Sequence, residues 1–87
     1  MTDEDVIALI NQRIATEFEL DLATMKPEAH LIDDLGLDSL DFVDMVVVLQ
    51  SAFGLSLREE PGIQQIRLLG DIHRLVIGLV RAREQQS

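Results

Sequence analysis

No cysteine occurs anywhere in this 87-residue chain, nor any tryptophan or tyrosine; there are three phenylalanines and two prolines. Without cysteine, neither a disulfide nor a thiolate-bound metal can staple so small a domain. With so few aromatics, leucine, isoleucine and valine must fill the interior. Apolar residues make up 47% of the chain, enough for one core and too many for general disorder. Positive charge is also scarce: seven Lys and Arg stand against sixteen Asp and Glu, a net charge of −9. Nucleic-acid phosphates and anionic membrane surfaces repel such a chain, so the expected partners carry basic patches and do not include nucleic acid. No apolar run is long enough to span a bilayer, which argues against membrane insertion. The acidic opening "MTDEDV" is neither a secretory signal nor a transit peptide and points to the cytoplasm. The length suits a single domain over residues 1–87, expected to act as a monomer, with a frayed tail over about 84–87.

What is present reads as helix. In "TDEDVIALINQRIATEF", Thr2 and Asp5 have the spacing of a capping box, and Asp3, Glu4 and Asp5 complement the positive end of the helix dipole. Val6, Ile7, Ile10, Ile14 and Phe18 recur at helical spacing. Residues 19–38 form a long connection. Pro27 forbids a regular helix there, yet Leu31, Ile32, Leu35 and Leu37 are too apolar for a free linker. A second helix is expected over "DSLDFVDMVVVLQSAF", stopped by Gly54. "IQQIRLL" suits one or two short turns, and Gly70 and Asp71 open a last helix. In that helix Ile72, Leu75, Val76, Leu79 and Val80 mark the expected core face, Arg81 and Arg83 fall in the last turn, and His73 is expected to be solvated. The expected fold is all-α: a small bundle of three main helices and a short fourth, with a long ordered loop between the first and second.

The second helix has two apolar faces. With about 100° per residue, Phe42, Met45, Val46, Leu49, Ala52 and Phe53 share one arc, the core face. Leu40, Val43 and Val47 form a stripe on the other side, bordered by Asp41 and Asp44. Burial of a central helix on most sides would explain the stripe. So would a docking surface, with apolar contact and acids that steer a basic partner. Ser39 stands at the end of this stripe, which favours docking.

Ser39 lies in "LGLDSLDFVDM", among Asp33, Asp34, Asp38, Asp41 and Asp44. Local chemistry makes Asp38 or Ser39 the helix N-cap. Nothing supports a catalytic serine: there is no G-x-S-x-G elbow, and neither His30, a loop residue, nor His73 is linked to Ser39. The acids do not follow the spacing of a calcium loop, so no metal site is expected. Phosphorylation would suit a helix N-terminus, but five nearby carboxylates oppose it.

"GLDSLD" followed by an apolar-acidic helix resembles the prosthetic-group attachment motif of the acyl carrier proteins, and the resemblance covers nearly the whole chain. It implies that Ser39 bears 4′-phosphopantetheine, delivered from coenzyme A by a phosphopantetheinyl transferase that uses Mg²⁺. It implies acyl cargo held as a thioester, no catalysis by the carrier itself, and shuttling between enzymes of fatty-acid, polyketide or related specialised lipid synthesis. Asp38, Leu40, Asp41, Val43, Asp44 and Val47 would meet basic patches on the transferase and on acyl-loading, synthase and acyltransferase partners. "LQSAF" stands where fatty-acid carriers are richer in Glu, and Arg67 and Leu68 where Ser or Thr is usual, which points to a specialised pathway. The rival readings are a peptidyl or aminoacyl carrier and, from another class, an acidic helical adaptor with Ser39 as a plain cap.

Overall fold

A computed structural model gives the fold and describes residues 1–85. Its three α-helices are α1 (Asp3–Phe18), α2 (Ser39–Phe53) and α3 (Leu69–Gln85). The connections contain two short 3-10 helices, Leu22–Thr24 and Pro61–Gln65, so the piece between α2 and α3 is not an α-helix. Among the described residues there is no strand; one isolated antiparallel bridge pairs His30 with Leu68. Of the expected tail, Glu84 and Gln85 continue α3. The remainder of that tail, Gln86 and Ser87, lies outside the described residues.

Local chemistry sets the helix limits. Thr2 accepts a hydrogen bond from the Asp5 amide at 3.1 Å, and the Asp5 carboxylate accepts one from the Thr2 amide at 3.1 Å. Those bonds hold the Asp5 carboxyl below its ordinary pKa. α2 ends at Gly54, whose amide donates to the Gln50 carbonyl. The side chain of Gln50 then accepts from the amides of Leu57 and Arg58, both at 2.9 Å, which turns the chain away.

α1 packs against both α2 and α3. Its buried side chains are Val6, Ile10, Ile14 and Ala15. Val6, Ile10 and Ile14 meet Met45, Val46, Leu49 and Phe53 of α2 and Leu69, Ile72, Val76 and Val80 of α3 in one core. Leu31, Leu35 and Leu37 of the long connection are buried in the same core, whereas Ile32 faces out. Arg81 ties the end of α3 to the start of α1 through Asp3 at 2.6 Å.

The core face of α3 is rotated from the one expected. Leu75 and Leu79 are only partly buried, while Leu69, Gly70 and His73 lie inside. His73 is 4% exposed, which corrects its expected solvation. Its Nε2–H donates to Asn11 Oδ1 of α1 at 2.7 Å, the amide being oriented by a 3.5 Å bond from Asn11 Nδ2 to the Met25 carbonyl. Burial pushes the His73 pKa down, with the Arg74 charge a smaller cause.

The long connection is fastened to the start of α3 by backbone. Leu31 donates to the Arg67 carbonyl at 3.0 Å, Leu69 to Ala29 at 2.9 Å and Gly70 to Pro27 at 2.8 Å. The approach at Gly70 leaves no room for a side chain: a Cβ there would stand 2.9 Å from the Pro27 carbonyl oxygen.

Candidate functional site

The site is built where the long connection enters α2. A tight turn over residues 30–36 comes first. The His30 carbonyl accepts from the amides of Asp34 and Leu35, and the Asp34 carboxylate accepts from the His30 amide at 2.7 Å. The His30 ring closes the turn from inside, with Nδ1 accepting from the amides of Ile32 and Asp33, both at 3.2 Å. Gly36 leaves the turn at φ +74°, a left-handed conformation that costs a glycine little.

Asp38 is the N-cap of α2. Its carboxylate accepts from the Asp41 amide at 2.8 Å, and Asp41 answers by accepting from the Asp38 amide at 3.2 Å. The capping box is thus made by two acids, and Ser39 is the first helical residue rather than the cap. Its side chain is exposed and makes no hydrogen bond among the described residues. A serine with no structural duty, at the positive end of a fifteen-residue helix, is free to take a substituent.

The other expected site residues lie beside it on α2. Leu40, Val43 and Val47 are 76%, 52% and 41% exposed, large values for apolar side chains on a helix whose opposite face is buried. Asp44 is exposed and Asp41 partly so.

Sequence reasoning missed the hollow next to Ser39. A cavity of about 210 Å³ is lined by Ser39 and Asp38 together with Ile32, Leu37, Phe42, Ile63 and Ile66. His30 and Arg67 line it too. Its walls come from three separate segments, so no local pattern announces it. One signal was present: an arginine between Ile66 and Leu68, in a stretch otherwise apolar. That segment is pinned by Asp71, whose carboxylate accepts from the amides of Leu68 and Arg67, both at 3.0 Å. These bonds lower the Asp71 pKa, with the Arg74 guanidinium a smaller cause.

No group of three or more His, Cys, Asp or Glu among the described residues is arranged to hold a metal ion. No helix among them is long and apolar enough to cross a membrane.

Comparison with known proteins agrees with this geometry. Residues 8–60 match the family model of the phosphopantetheine attachment site. The chain is 47% identical over 53 residues to the acyl carrier protein AcpXL of Rhizobium meliloti, and equally to that of Rhizobium etli, in each case over 61% of this chain. The matched part spans little more than half of those relatives, 56% and 58% of their lengths. Acyl carrier protein 2 of Ralstonia nicotianae is 34% identical over 82 residues, which is 94% of this chain and all of that protein. The prosthetic group is therefore covalent 4′-phosphopantetheine, and the free, exposed hydroxyl beside an apolar hollow fits such a group. The chain belongs to the acyl carrier protein family, whose mark is the phosphopantetheine attachment site.

Proposed function

We propose that Ser39 is the attachment residue and that residues 1–87 act as one acyl carrier domain, which ferries acyl groups between enzymes and catalyses nothing itself. The observation that carries this reading is the division of labour at the start of α2: Asp38 caps the helix, and Ser39 is left exposed and without a partner. In the loading step the Ser39 oxygen attacks the phosphorus of coenzyme A that bears the pantetheine. The bond to the nucleotide phosphate breaks, and the serine proton passes to a base on the transferase. Mg²⁺ offsets the charge of the departing nucleotide. When bound, the group supplies a terminal thiol that holds an acyl chain as a thioester.

Leu40, Val43 and Val47 supply apolar contact to transferase, acyl-loading, synthase and acyltransferase partners, while Asp38, Asp41 and Asp44 steer their basic patches. Charge steering with a small apolar patch gives fast arrival and ready release, as a carrier requires. The same role serves fatty-acid, polyketide or more specialised lipid synthesis. Gln50 and Ser51 in α2, and Arg67 and Leu68 before α3, favour a specialised pathway.

The test is intact mass after incubation with coenzyme A, Mg²⁺ and a broad-specificity phosphopantetheinyl transferase. Wild type should gain one phosphopantetheine and Ser39→Ala none, with Ser39→Ala still folded. A folded wild type that gains nothing, beside a known carrier that does, would return the chain to the adaptor reading.

A further inference from the structure

We propose that the Arg67 guanidinium is a positioning residue for the phosphodiester formed at Ser39, an inference that rests on the attachment reading above. A phosphodiester carries one negative charge at neutral pH. At Ser39 that charge would enter a neighbourhood with Asp33, Asp34, Asp38 and Asp41 and no lysine or arginine in the same stretch of chain. The helix N-terminus offers partial compensation, but Asp38 already occupies the Asp41 amide. A cation across the hollow would add to that compensation.

Of the residues that line the cavity with Ser39, only Arg67 carries a permanent positive charge. Its guanidinium is also held in place. Nη1 donates to the carbonyls of Gln64 at 3.1 Å and Ile66 at 2.9 Å, and the Arg67 amide is bound by Asp71. Nε and Nη2 make no hydrogen bond among the described residues, and Arg67 forms no ion pair there, although the chain has sixteen carboxylates. A guanidinium fixed at one nitrogen, with Nε and Nη2 left over, is the form that pairs with two phosphate oxygens. Ile32, Phe42, Ile63 and Ile66 supply the apolar part of the same lining.

A role confined to pinning the segment before α3 makes different predictions. It has Arg67→Gln lower the melting temperature of the unmodified and modified chains equally and leaves the phosphorus environment untouched. The experiment compares wild type, Arg67→Gln and Arg67→Lys, each before and after modification confirmed by mass. Three readouts are taken: the ³¹P resonance of the phosphodiester, the Nε–H resonance of Arg67, and the change in Tm on modification.

Modification should move the Arg67 Nε–H signal in wild type. Arg67→Gln should shift the ³¹P resonance toward that of coenzyme A's free diester and lower the Tm change on modification. Arg67→Lys, a charge without the fork, should recover part of both. Equal Tm losses before and after modification, with ³¹P and Nε–H unmoved, overturn the proposal while Ser39 remains the attachment residue. Absence of any mass gain overturns both.

Discussion

At the start of α2 the cap is made by Asp38, and Ser39 is left exposed with no hydrogen bond among the described residues. Because Asp38 makes the cap, Asp38→Ala should lose about 1 kcal/mol of stability by urea denaturation, and Ser39→Ala should lose clearly less. Comparable losses would mean that the serine caps after all. His73 shows a different kind of residue effect. Burial favours its neutral form and lowers its folded pKa below the unfolded value of about 6.5. As pH falls through that value the unfolded chain takes up the proton first, so the contribution is complete above it and declines below it. Between pH 8 and pH 5 wild type should therefore lose more stability than His73→Gln. Parallel pH profiles would show that His73 titrates alike in both states.

At the scale of the element, α2 is a two-faced helix. Met45, Val46, Leu49 and Phe53 turn inward, and Leu40, Val43 and Val47 turn outward with Asp41 and Asp44 at their margin. Asp41→Lys or Asp44→Lys should slow modification by the transferase several-fold at low salt and much less at high salt, since exposed charges are screened. Rates indifferent to both mutation and salt would remove these acids from the docking face. Much of this helix could be read from sequence, because its periodicity, its acidic start and Gly54 all agree. α3 was less legible. Leu75 and Leu79 made an equally regular stripe, but the start of the helix is anchored by Leu69 and Gly70 against the long connection, and this turns His73 inward. The bonds that do so are backbone bonds, which leave no mark in side-chain pattern. The same holds for the hollow beside Ser39, whose walls meet only in the folded chain.

At the scale of the whole molecule, a net charge of −9 is confined to a body of 37 × 24 × 20 Å. The charges are unevenly spread: α2 has two aspartates and no basic residue, whereas α3 holds Arg74, Arg81 and Arg83. With a screening length of about 10 Å at 0.1 M salt, much of this repulsion is felt at low ionic strength. The Tm should rise as salt is added, and more steeply with Mg²⁺ than with Na⁺ at equal ionic strength; a flat Tm would show that repulsion matters little. The backbone fastening between residues 27–31 and 67–70 has a kinetic meaning as well. It joins segments roughly forty residues apart, a slow closure compared with the winding of any one helix. The end of the bundle that bears Ser39 should therefore be completed late in folding and open as one unit. The amides of Leu31, Leu69 and Gly70 should exchange with deuterium at a common rate, and scattered rates would mean that each bond opens by itself. The end of the carrier that presents Ser39 would then come into being only when the chain has finished folding.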